Sequence, residues 1–206
     1  MPRQVMNHRE RVLVALRHEE PDRVPIDFGG HCDSTMMAVS YQKLRRQLGL
    51  PPTITRVNDV VGQTAVIEED VREALDVDTL AAFDEPREWR AATLTDGSPA
   101  WFPAKFQPQR LPDGSQVVFD GEGHVVLKMP RDGHYFDPVY APLASATSVR
   151  DIERHLDAII HYDTPAYLDK SYEERAAEIE VLRAQTDRLL IGFFGGHLLQ
   201  AGQVLR

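Results

Sequence analysis

Apolar and polar positions along this chain repeat with a period that changes several times, and each change marks an element. Asn7 and Glu10 stand at capping-box spacing, and Val12, Leu13 and Leu16 form the stripe of a first helix. Pro21 and Pro25 flank a turn into an apolar run at 24–28, which reads as a first strand. Ser34 or Thr35 can cap a second helix with the stripe Met37, Tyr41, Leu44 and Leu48, closed by Gly49 and Pro51-Pro52. Asn58 opens a third helix carrying Val60, Thr64, Ile67, Val71 and Ala74 on one face, and 77–83 reads as a second strand. Helix followed by short apolar strand, repeated, predicts a parallel sheet with crossover helices.

The pattern changes at 96–145. Asp96-Gly97, Asp113-Gly114, Asp120-Gly121 and Gly123 punctuate β-prone runs at 100–106, 116–119 and 124–129. Asp-Gly pairs between such runs signal hairpins. The segment is expected to be an antiparallel insertion with too few apolar residues for a core of its own. Two capped helices follow, one from Ser148 with Asp151 and one from Ser171 with Glu174, the latter turning Ala176, Ile179 and Leu182 inward. A third strand is predicted at 189–194, and 203–206 falls within what reads as a further helix.

Composition narrows the partners. Apolar residues make up 42% and charged residues 27%, and no run approaches the roughly 18 apolar residues of a membrane span. The first residues are polar and pass into an amphipathic helix, unlike a signal peptide. A single cysteine, Cys32, excludes an internal disulfide and fits a reducing, cytoplasmic setting. The net charge of −9 weighs against a nucleic-acid surface, which needs clustered cations. Arg45-Arg46 reads as part of a solvated helical face.

The run NHRERVLVALRHEEPDRVPIDFGG at 7–30 resembles the amino-terminal signature of the uroporphyrinogen decarboxylase-like superfamily. Similar blocks continue through YQKLRRQLGL at 41–50, EEDVREALDVD at 68–78, DGHYFDPVYAPLA at 132–144 and DRLLIGFFGG at 187–196. That superfamily includes the porphyrinogen decarboxylase of haem synthesis and methyltransferases that move methyl groups between corrinoid proteins and thiols or folates. The resemblance implies a (β/α)8 TIM barrel, which typically needs about 250 residues. The chain of 206 residues is therefore expected to be the amino-terminal portion of one incomplete barrel domain, with the hairpin insertion at 96–145.

Barrel enzymes place their chemistry in loops at the carboxyl ends of the strands. Those loops would carry Asp27, Gly29, Gly30, His31, Cys32 and Asp33 after the first strand, Asp84 and Glu85 after the second, and Gly195, Gly196 and His197 after the third. Asp27, Asp84 and His197 are the candidate catalytic groups, since acid–base work needs titratable side chains close together. Gly29, Gly30, His31, Gly195 and Gly196 are the candidate substrate contacts, because glycine lets a ligand approach the backbone. Each has a plainer reading. Asp27 can brace its own loop, Asp84 can cap a turn before Pro86, and His197 can be a surface histidine. Asp84 also lies one residue short of the spacing at which the decarboxylases carry their pyrrole-binding aspartate. No metal is assigned to His31 and Cys32, because adjacent side chains converge on one ion only across a special turn, and zinc needs further ligands.

The resemblance implies three functions. The decarboxylases carry an arginine-bearing segment after the first strand for their polycarboxylate substrate. Residues 28–34 here contain no arginine, which favours the methyltransferase-like branch. That branch activates a thiol on zinc held by the second half of the barrel, with a corrinoid such as methylcobalamin as substrate. The leading expectation is thus part of a corrinoid-dependent methyltransferase-like enzyme, acting on a small molecule or a corrinoid protein and inactive as a fragment. The alternative is a non-catalytic half-barrel that self-associates or pairs with a complementing chain through open sheet edges. Porphyrinogen decarboxylation stands third.

Overall fold

The Asn7 side chain accepts the Glu10 N–H at 2.8 Å and starts α1, His8–Leu16. The computed structural model describes residues 5–82, 85–156 and 170–192. In α1 the buried residues are Arg11 and Val12, while Leu13 and Leu16 face outward. The expected stripe is rotated because Arg11 is drawn inward to Asp78, a wholly buried carboxylate.

The same carboxylate prevents the expected first strand. Residues 24–28 run beside the start of β2, Thr79–Ala82, and Ile26 C=O accepts the Asp78 N–H at 2.8 Å. The Ile26 N–H, however, is taken by Asp78 Oδ2 at 2.7 Å, and Pro25 has no N–H to offer. A single backbone bond does not make a ladder. A 3₁₀ turn, Cys32–Ser34, follows, and α2 spans Ala38–Gln47. Neither Ser34 nor Thr35 caps α2; its N-cap is Met37, and the Thr35 hydroxyl donates to Ala65 C=O at 2.8 Å.

The helix expected from Asn58 is mostly a turn. The Asp59 carboxylate accepts the N–H groups of Val61 and Gly62, each at 2.9 Å, and Gln63 adopts φ +52°. These local bonds compete with helix propagation. Thr64 and Ala65 then bridge to Met37 and Val57. Only α3, Glu69–Ala74, remains helical.

The described strands form three sheets. β1, Thr55–Arg56, runs parallel to β4, Pro99–Pro103, which pairs antiparallel with β3, Trp89–Thr93. β2 pairs in parallel with β9, Leu189–Gly192, Thr79 lying opposite Leu189. β5, Gln109–Arg110, β6, Gln116–Phe119, β7, Val125–Met129, and β8, Asp137–Pro138, form an antiparallel sheet in sequence order. α4, Val149–Arg154, and α5, Tyr172–Gln185, begin on the expected Ser148–Asp151 and Ser171–Glu174 capping boxes. Ile179 and Leu182 of α5 are half-buried, whereas Ala176 is exposed.

This arrangement overturns the expected amino-terminal portion of a (β/α)8 barrel. The described strands lie in mixed, parallel and antiparallel sheets of three, two and four strands, and the described helices are five. The molecule is a small β-rich domain. The hairpin region packs into the same core as the rest. Its Phe102, Phe106, Val118, Leu127, Met129 and Phe136 share one core with Tyr41, Val57, Ile67 and Val71. Phe106 stacks on Phe102 with ring centroids 5.8 Å apart and meets Phe136 edge-on at 5.5 Å. Among the described residues, no helix is long and apolar enough to cross a membrane.

Candidate functional site

The loop after residues 24–28 is anchored by its own carboxylate. Asp27 Oδ1 accepts the Gly30 N–H at 3.0 Å and the Thr79 hydroxyl at 2.5 Å, which ties the loop to β2. The two glycines follow from close packing. A Cβ on Gly30 would stand 2.5 Å from Asp27 Oδ1 and 2.7 Å from Ile191 Cδ1. Gly29 sits at φ +85°, and a Cβ there would stand 2.5 Å from Ile67 Cγ1. Protein side chains therefore occupy the space over both glycines.

His31 begins the 3₁₀ turn. Its Nδ1 accepts the Asp33 N–H at 3.2 Å, and Ser34 Oγ accepts the His31 N–H at 2.9 Å. The tight turn folds three consecutive side chains onto one side. Cys32 Sγ lies 3.6 Å from His31 Nδ1 and 3.9 Å from Asp33 Oδ1, and Asp33 Oδ2 lies 3.3 Å from His31 Nδ1. Imidazole, thiol and carboxylate thus gather within 4.8 Å of one another, the first two half-buried and the third exposed. Burial pushes the Cys32 thiol up to about 11, with the charges of Asp33 and Asp59 adding to the effect. At neutral pH it is a thiol, not a thiolate nucleophile.

Of the other sequence-predicted residues, Asp84, Gly195, Gly196 and His197 lie outside the described residues. Glu85 pairs with Arg56 at 2.7 Å.

A buried charge network escaped the sequence reading. Asp78 Oδ1 accepts Arg11 Nη1 at 2.5 Å and lies 2.8 Å from His8 Nδ1, while Oδ2 accepts Arg23 Nη1 at 2.6 Å. Burial by itself would raise its pKa; hydrogen bonds from Arg23, the Ile26 N–H, His8 and Arg11 outweigh it and hold the carboxyl below its ordinary range. Arg11 also binds Asp22 at 2.6 and 2.9 Å, and that hydrogen bond drives the Asp22 carboxyl far below the usual range. Arg45 is likewise fully buried, not part of a solvated face. It forks onto Asp70 at 2.8 and 2.6 Å, reaches Glu68 at 2.8 Å, and donates to Pro51 C=O. The available signal was a cation at a helix position facing inward, Arg11 beside Val12 and Arg45 one turn after Tyr41.

A separate crevice of about 280 Å³ opens between β3, β4 and the second hairpin, lined by Gln63, Arg90, Phe102, Phe106, Gln116 and Phe136. Arg90 Nε donates to Phe106 C=O at 2.7 Å and its guanidinium lies 5.7 Å from the Phe102 ring centroid. Burial lowers its pKa. Comparison with family models, curated proteins and solved structures gives no match to this chain.

Proposed function

We propose that this chain is part of an enzyme for methyl transfer of the corrinoid-linked kind that its sequence blocks imply, with a small thiol or a corrinoid protein as substrate. The observation that supports this most is the loop at 27–34. The block at 7–30 ends in it, and it gathers His31, Cys32 and Asp33 at one point. In the transfer, the acceptor sulfur attacks the methyl carbon, the cobalt–carbon bond breaks with its electron pair left on cobalt, and the thiol proton passes to solvent. Asp27 holds the loop that receives the acceptor. A polycarboxylate porphyrinogen is a poorer fit, because the loop offers Asp27 and Asp33 and no arginine. The test is calorimetric titration of methylcobalamin and of a panel of small thiols into the protein. Binding that is lost in Asp27→Ala supports the reading; no binding of methylcobalamin or of any thiol sinks it.

A second reading, association with another copy or a complementing chain, is favoured by exposed apolar side chains. Leu16 is 66% and Val181 57% exposed, and the β2–β9 pair has no further strand on either edge among the described residues. Sedimentation across a wide concentration range decides it: mass that rises with concentration is expected, and a constant monomer mass rejects it.

A further inference from the structure

We propose that the crevice between β3, β4 and the second hairpin binds a small carboxylate with a flat apolar body, Arg90 taking the carboxylate and the surrounding phenylalanine rings the body. The argument starts from an arginine without a counter-charge. The buried arginines Arg11, Arg45 and Arg188 each pair with a carboxylate, Asp22, Asp70 and Glu69 respectively. Arg90 is half-buried and does not. Its Nε donates to Phe106 C=O at 2.7 Å, and its guanidinium lies 5.7 Å from the centroid of Phe102, its partner across the β3–β4 ladder. Among the described residues, no carboxylate stands within ion-pairing distance of it, and neither Nη has a hydrogen-bond acceptor.

Burial with no counter-charge lowers the Arg90 pKa, yet a guanidinium stays charged at neutral pH. The crevice therefore holds an uncompensated cation, and that cation selects the ligand. With Nε committed to Phe106, the two Nη groups remain as a fork that matches the two oxygens of a carboxylate. A phosphate dianion is held by several cations or N–H groups, and no second charged residue lines the crevice. The walls contributed by Phe102, Phe106, Met129 and Phe136 suit an apolar body, and ring faces favour a flat one. A volume of about 280 Å³ stands just below the roughly 300–1,000 Å³ of sites for drug-sized ligands, so the ligand is small. No residue of the loop at 27–34 lines the crevice. Carboxylate binding here and methylcobalamin or thiol binding there are separate results.

The test titrates benzoate into the full chain and follows the arginine Nε–H resonances by NMR. Benzoate should shift the Arg90 Nε–H signal and bind at least about tenfold more tightly than benzamide, its neutral counterpart, and than inorganic phosphate. Arg90→Lys keeps a cation and loses the fork, so it should weaken benzoate at least about tenfold, with far-UV circular dichroism checking the fold. The ligand comparison uses the unaltered protein and decides the matter even where Arg90→Lys does not fold. Benzamide or phosphate bound as tightly as benzoate, no shift at Arg90 Nε–H, or unchanged affinity in folded Arg90→Lys would overturn the proposal.

Discussion

Asp78 is the residue on which the amino-terminal third of the chain depends. It is wholly buried and joins α1, the 22–26 turn and the start of β2 through Arg11, His8, Arg23 and the Ile26 N–H. Removing one member of a buried, hydrogen-bonded charge set strands the others and typically costs about 3–5 kcal/mol. Asp78→Asn should lower the urea midpoint by a loss of that size. The acid limb carries the same signature. Asp78 titrates lower folded than unfolded, so its stabilisation is present above about pH 4 and is lost as pH falls through its folded pKa. Denaturation midpoints measured against pH should stay flat near neutrality and drop below about pH 4, less steeply in Asp78→Asn. Gly30→Ala tests packing. Its Cβ would press on Asp27, Ile191 and Thr79, and a loss of about 1–3 kcal/mol is expected in thermal melts.

Among the elements, the hairpins are the most locally determined. Asp96-Gly97-Ser98 and Asp113-Gly114-Ser115 are built alike, each Asp accepting the Ser N–H and hydroxyl, with glycine at φ +86° and +87°. Gly97→Ala meets open space and should cost about 1 kcal/mol from the left-handed backbone alone. Gly114→Ala should lose more, because its Cβ also meets Arg131 Cγ at 2.9 Å. Paired melting curves check the order. Such turns and the Asn7, Ser148 and Ser171 caps were legible in the sequence because their partners lie within four residues. The third helix was not, since Asp59 diverted its first N–H groups. Arg45 was misread as solvated and Arg11 passed unread, because the carboxylates that bury them lie 25 and 67 positions away. Within the candidate site, the loop at 27–33 was legible and its convergence was not: His31 acting as an N-cap creates the turn that brings neighbouring side chains together.

For the whole molecule, the alternation of helix and apolar run suggested a parallel sheet with crossover helices, and the family resemblance implied a barrel, yet sheet order depends on pairings that periodicity does not record. Residues 24–28 had the composition of a strand and lost the role to one side-chain acceptor. The region at 96–145 has too few apolar residues for a core of its own, and it supplies three buried phenylalanines, Phe102, Phe106 and Phe136, to a shared one. That sharing predicts one cooperative unit. Fluorescence of Trp89 and Trp101, in β3 and β4, should be lost together with the far-UV signal in one transition; separate transitions would contradict the shared core.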